Sequence, residues 1–242
     1  MFPFCLSRHP ESAVGRSVMR ELAIYDMDRT ITRTGTYTPF LIHAAKQLAP
    51  WRLGLAALVP FTMAAYGIKL IDRRRLKEWN QRLLLGGAVP RVRLRPAVES
   101  FADLVCQANI HPGARRQIAA DKAADRRLVL ATASYRFYVE PIAARLGFHD
   151  VIATGSITGL DDIIHAKIDG ENNYGPAKLR LIQAWMEDQG IKRENVKIRF
   201  YSDHVSDWPV LEWADIAIAV NPSKGLRKMA QKRGWQIVDW GF

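Results

Sequence analysis

The sequence predicts an α/β fold: a doubly wound parallel sheet, Rossmann-like in its core, with an inserted all-helical cap domain. Three observations lead there. Five short apolar runs, at residues 21–26, 128–132, 151–154, 196–201 and 216–220, have the length and continuity of strands buried on both faces. Helical patterns alternate with the later strands, at about 113–124, 138–146, 176–189 and 206–213, and strand–helix alternation signals parallel pairing. Residues 33–110 break the rhythm and read as three or four helices punctuated by Pro39, Pro50, Gly86-Gly87, Pro90 and Pro96. The expected organisation is a loose tail over 1–20, a core made of 21–32 and 111–242, and a helical cap over 33–110.

Composition supports a large folded core. Hydrophobic residues make up 48% of 242, and charged residues 24%, which excludes a disordered chain. The net charge is +11, so the partners to consider are anions: phosphate esters, nucleic acid or anionic lipid. The insertion holds 12 basic and 4 acidic residues, so most of the excess charge lies there and not in the α/β core. The two cysteines, Cys5 and Cys106, have neither metal spacing nor a disulfide framework, which suits a reducing, cytoplasmic setting. The first 20 residues lack the apolar centre of a signal peptide, and Met19 is an alternative start.

Taken in order, the first strand, Leu22-Ala-Ile-Tyr25, runs into Asp26, Asp28 and Thr30. Two carboxylates at i and i+2 repel and raise each other's pKa. A hard divalent cation such as Mg²⁺ removes that penalty; a plain polar turn after the strand is the alternative. Residues 53–68 are uncharged and flanked by Arg52 and Lys69, with Arg73-Arg74-Arg75 beyond. Sixteen residues with Pro60 and Thr62 among them are too few to span a bilayer, and a single crossing would also part Asp26 from Asp203. Two readings stay open: a buried cap helix, or an interfacial helix that sets its apolar side and the basic cluster of 52–77 on an anionic membrane.

The strand over 128–132 ends in the hydroxyl of Thr132. Lys178 opens a helix after Asn172-Asn-Tyr-Gly-Pro176, and the strand over 196–201 is followed by Asp203 and, four residues on, Asp207. Asp26, Thr132 and Asp203 therefore sit at carboxyl ends of strands, where doubly wound folds gather their ligands. Asp161-Asp162 follows Thr158-Gly159 and reads as a turn. His204 is the one histidine near the set, beside the site more than in it, and Tyr138 and Glu140 read as helix-packing residues.

The order of these four features resembles the haloacid dehalogenase-like superfamily, and within it the phosphoserine-phosphatase-like branch with a helical cap between the first and second motifs. The resemblance spans roughly residues 21–240. It implies a phosphomonoesterase with Asp26 as nucleophile, forming an aspartyl-phosphate, and Asp28 as general acid and then base. It implies Mg²⁺ held by the carboxylates of Asp26 and Asp203 and the backbone carbonyl of Asp28. Thr132 and Lys178 would grip the phosphoryl oxygens, and Asp207 would orient Lys178 or a metal-bound water. Arg29, Ser202 and Ala133-Ser134 stand where many members have glycine; the last pair puts phosphoserine as substrate in question, though not the reaction type. The substrate is a small phosphate ester or a lipid phosphate. The alternatives are a phosphotransferase, or a membrane- or nucleic-acid-binding module using the basic cap; the acid set argues against binding alone, and nucleic acid is the disfavoured partner.

Overall fold

The structure is a computed structural model, and it describes residues 20–159 and 161–241. The expected tail, with Cys5 and Met19, lies outside the described residues. The elements in chain order are β1 (Arg20–Tyr25), α1 (Tyr37–Leu48), α2 (Val59–Gly67), α3 (Arg73–Leu84), β2 (Ala88–Pro90), α4 (Arg91–Ala108), α5 (Pro112–Ala123), β3 (Arg127–Tyr135), α6 (Arg136–Leu146), β4 (Asp150–Thr158), β5 (Ile163–Asp169), α7 (Pro176–Asp188), β6 (Val196–Ser202), α8 (Trp208–Trp213), β7 (Ile216–Val220), α9 (Lys224–Arg233) and β8 (Gln236–Val238).

One sheet of eight strands runs in the order β2-β5-β4-β3-β1-β6-β7-β8. The six strands from β4 to β8 in that order are parallel, with β1 central: Ala23 pairs with Leu128 on one side and Ile24 with Phe200 on the other. The two faces follow the period of two along each strand. Ala23 and Tyr25 of β1 join one apolar cluster with Phe40, Phe101 and Tyr138, while Leu22 and Ile24 join a second with Ile182, Met186 and Leu226. Burial on both sides is why these strands read as continuous apolar runs. The expected doubly wound core is present.

The insertion departs from an all-helical cap. Ala88–Pro90 forms β2, antiparallel to β5, with Val89 opposite Ile164. Pro90 is tolerated because this strand lies at the sheet edge. The segment after β4 is a hairpin: β5 turns back antiparallel to β4, with Ile164, Ala166 and Ile168 buried in alternation. Its turn contains Asp162, whose N–H bonds the carbonyl of Gly159.

Residues 53–68 are not a buried helix. The chain makes a tight 3₁₀ stretch over Pro50–Leu58 and then α2, and neither has a fully buried residue. Leu53, Ala56 and Val59 lean on the core, but Trp51, Phe61, Ile68 and Leu70 are about 70% exposed (69%, 71%, 76% and 71%). No helix among the described residues is long and apolar enough to cross a membrane.

Candidate active site

The site lies at the carboxyl end of central β1, with β3 and β4 following on one side of it in the sheet and β6, β7 and β8 on the other. This is the crevice where open α/β sheets place their ligands. The N–H of Asp26 still belongs to the sheet, bonding the Tyr201 carbonyl at 2.9 Å, so strand pairing fixes the start of the first motif. The chain then turns tightly over Met27–Ile31, with Arg29 at φ 65°. That is the left-handed region a glycine enters freely and an arginine only at a cost. The turn is closed by Thr32, whose hydroxyl donates to the Met27 carbonyl at 3.1 Å and accepts the Arg29 N–H at 3.2 Å.

The turn brings Thr30 between two acids. Its hydroxyl stands 3.0 Å from Asp26 Oδ2 and 3.3 Å from Asp203 Oδ1, and accepts the N–H of Asp203 at 3.0 Å. On the other side of Asp26 is Lys178, 2% exposed, supplied by the first turn of α7. Its ammonium donates to Asp26 Oδ1 and to Asp207 Oδ2, both at 2.7 Å. Ser202 Oγ also donates to Asp207 Oδ2, at 2.8 Å.

Thr132 comes from a bulge at the end of β3. Thr132 pairs with Ala153 and Tyr135 with Thr154, so Ala133 and Ser134 have no partners of their own in β4 and are pushed out of the ladder. The Ser134 N–H bonds Thr132 Oγ1 at 3.1 Å, and Ser134 Oγ donates to Asp28 Oδ2 at 2.7 Å. Thr36 completes the hold on Asp28: its N–H and its hydroxyl reach Oδ1 at 2.6 and 2.8 Å.

All six residues expected from the sequence (Asp26, Asp28, Thr132, Lys178, Asp203 and Asp207) line one cavity of about 500 Å³, with Arg29, Arg73, Tyr174 and His204 at its wall. Thr36, Ser134 and Ser202 are polar partners for which the sequence assigned no role. Tyr138 is fully buried against Phe40, their rings stacked 4.4 Å apart.

The charges do not balance. Among the described residues Asp26, Asp203 and Asp207 stand around one buried cation, Lys178, which pairs with Asp26 and Asp207. Burial pushes Asp26 up to about 7 against the pull of Lys178, and burial with the neighbouring Asp207 pushes Asp203 up to about 6. Burial works against the Lys178 ammonium too, but Asp207 and Asp26 outweigh it and hold its pKa above the usual lysine value. Asp207 Oδ1 is buried without a hydrogen-bond partner among the described residues. No three His, Cys, Asp or Glu side chains form a ready metal cluster among the described residues. A hard ion that keeps several waters needs no such cluster: one or two carboxylates suffice for Mg²⁺. The excess negative charge and the hydroxyl-bridged pair Asp26–Asp203 fit such an ion.

Known proteins resemble this chain in sequence and fold. The haloacid dehalogenase-like hydrolase family matches residues 23–212. The "Inhibition of morphological differentiation protein" of Streptomyces azureus is 30% identical over 226 residues, 93% of this chain and 80% of that protein. A "Probable phosphatase" of Mycobacterium tuberculosis is 30% identical over 228 residues, 91% of this chain and 76% of the relative. Among solved structures, a protein of unknown function from Bordetella pertussis Tohama I superposes with a TM-score of 0.84 at 28% identity, covering 92% of this chain and all of the other. A phosphoserine phosphatase solved as a phospho-aspartyl intermediate analogue shares the fold, with a TM-score of 0.60 at 17% identity over 92% of this chain and 94% of that one.

Proposed function

This chain belongs to the haloacid dehalogenase-like hydrolase family, and from that premise we propose that it is a Mg²⁺-dependent phosphomonoesterase working through a covalent aspartyl-phosphate on Asp26. The observation that carries the reading is Lys178, buried and bonded to both Asp26 and Asp207, in a cavity that also presents Asp28, Thr132 and Asp203. In the first step an Asp26 carboxylate oxygen attacks phosphorus, the bond to the ester oxygen breaks, and Asp28 gives that oxygen a proton. In the second, Asp28 takes a proton from water, the water oxygen attacks phosphorus, and Asp26 and inorganic phosphate are freed. Thr132 and Lys178 hold the phosphoryl oxygens, and Asp207 holds Lys178. A Mg²⁺ bound by Asp26, Asp203 and the Asp28 carbonyl supplies the charge neutralisation that lets one anion approach another. The remaining work is positioning.

The test is phosphate release from an aryl phosphate by the native protein and by Asp26→Asn, each with Mg²⁺ and with chelator. Release that requires Mg²⁺ and disappears in the variant is expected; full activity in Asp26→Asn sinks the mechanism. Replacing water by an added alcohol in the second step would give a new phosphate ester, which separates phosphotransfer from hydrolysis.

The exposed Trp51, Phe61, Ile68 and Leu70, beside Arg52 and Lys69, favour a second feature: peripheral contact with an anionic membrane by a cytoplasmic protein whose substrate is a lipid phosphate. Nucleic acid is not the partner this reading selects. Co-sedimentation with phosphatidylglycerol vesicles, weakened about tenfold by Trp51→Ala with Phe61→Ala, is the expected result. Equal binding by both forms removes Trp51 and Phe61 from the contact, and no binding by the native protein overturns the membrane reading.

A further inference from the structure

Lys77 is a buried cation that the mechanism above leaves unused. It stands on α3, 6% exposed, and no carboxylate pairs with it among the described residues. Its ammonium donates to the Ala133 carbonyl at 2.7 Å and to Asn172 Oδ1 at 3.0 Å, and lies 4.3 Å from the centre of the Tyr135 ring. Thr154 Oγ1 reaches the same two acceptors, at 2.7 and 3.1 Å, so the four groups close a small polar ring. Burial, reinforced by Arg73, draws the Lys77 pKa down to about 7. A methionine of similar length would fill the space without that desolvation cost.

The docking of α3 has other holds. Arg74 donates to the carbonyls of Ile168 and Gly170 at 2.6 and 3.1 Å, and Glu78 Oε1 accepts the Ile168 N–H at 2.9 Å. Those bonds already tie the helix to β5. Lys77 reaches past β5 to the bulge in β3, and the carbonyl it takes belongs to the residue between Thr132 and Ser134. Thr132 faces the cavity, and Ser134 holds Asp28.

We propose that Lys77 is a positioning residue: from the insertion it braces the Thr132–Ser134 bulge, so the seating of α3 sets where Thr132 and Asp28 stand for the reaction. The inference rests on the phosphomonoesterase reading. A misplacement of about 1 Å in such a group costs on the order of a hundredfold in rate, so loss of the brace has room to show.

The experiment compares native protein, Lys77→Met and Lys77→Arg by two readouts. The first is amide hydrogen exchange at Ser134, whose N–H bonds Thr132 Oγ1. The second is steady-state hydrolysis of an aryl phosphate with Mg²⁺, run well below each variant's own melting temperature. The expected result for Lys77→Met is exchange at Ser134 at least about tenfold faster, kcat down at least about tenfold and KM within about threefold, with Lys77→Arg closer to native in both. Unchanged Ser134 exchange in Lys77→Met overturns the brace whatever the activity does. Faster exchange with kcat within twofold of native makes Lys77 an anchor of the insertion and overturns the positioning role. A native protein that releases no phosphate with Mg²⁺ refutes the phosphomonoesterase reading, and the positioning role with it; the Ser134 readout then still shows whether Lys77 braces the bulge.

Discussion

Replacing Asp203 by Asn is expected to stabilise the metal-free protein while abolishing its activity. Asp203 is pushed from an ordinary 3.8 up to about 6 by burial and by Asp207. At about 1.4 kcal/mol per pH unit, that displacement represents roughly 3 kcal/mol held against the folded state at pH 8. The sign follows from proton counts. Between pH 3.8 and 6 the folded chain keeps a proton that the unfolded chain has released, so stability falls as pH rises through that window and the full cost is present above it. Asparagine keeps the shape and an oxygen within reach of the Thr30 hydroxyl, but removes the charge. In chelator the variant should exceed the native protein by about 1–3 kcal/mol at pH 8, with the gain shrinking toward zero as pH approaches 4. Added Mg²⁺ should reverse the order, because only the native site keeps both carboxylate ligands and ligand binding adds to folding stability. Urea unfolding at pH 5 and pH 8, with chelator and with Mg²⁺, measures all of this. An Asn variant less stable than native by the same amount at both pH values in chelator would refute the argument that an unbalanced charge is stored there.

Two further outcomes follow from the same geometry. Ser134→Ala removes one of three donors to Asp28 and should lower kcat about tenfold, a modest share of what a positioned acid–base contributes, while the melting temperature moves little; an unchanged kcat would show that Thr36 alone orients Asp28. Lys77 is held near 7 by burial, well below its ordinary 10.5, so between those pH values the unfolded chain binds the extra proton and stability rises with pH. Lys77→Met lacks that contribution, and relative to it the native protein should gain up to about 1.4 kcal/mol per pH unit between pH 7.5 and 9.5 by urea unfolding; parallel pH dependences would show that Lys77 titrates near its ordinary value.

How far the sequence could be read depended on whether a residue's partner was implied by its own neighbourhood. Leu22-Ala-Ile-Tyr25 and Ile216–Val220 announce buried strands because both faces are covered, and Asp26 beside Asp28 announces a site because two acids at that spacing need a reason. Ala88–Pro90 has too few residues to show any period, so the insertion read as wholly helical. Residues 53–68 were ambiguous for another reason: apolar composition tells that a segment avoids water and is silent on what covers it, and Phe61 and Ile68 turn out to face outward. The polar partners were hidden by distance along the chain. Thr36 meets Asp28 only after the left-handed turn at Arg29, and Ser134 only because β3 bulges, 106 residues away. The fold changes the meaning of the positions where glycine is common in the resembling family. Read from sequence, Ser134 only put phosphoserine as substrate in question, and Ser202 only implied a less flexible turn. In the fold each hydroxyl is a donor to an acid, Ser134 to Asp28 and Ser202 to Asp207. Side chains at those positions exchange flexibility for fixed acids, and that exchange is what a site relying on positioning more than on movement requires.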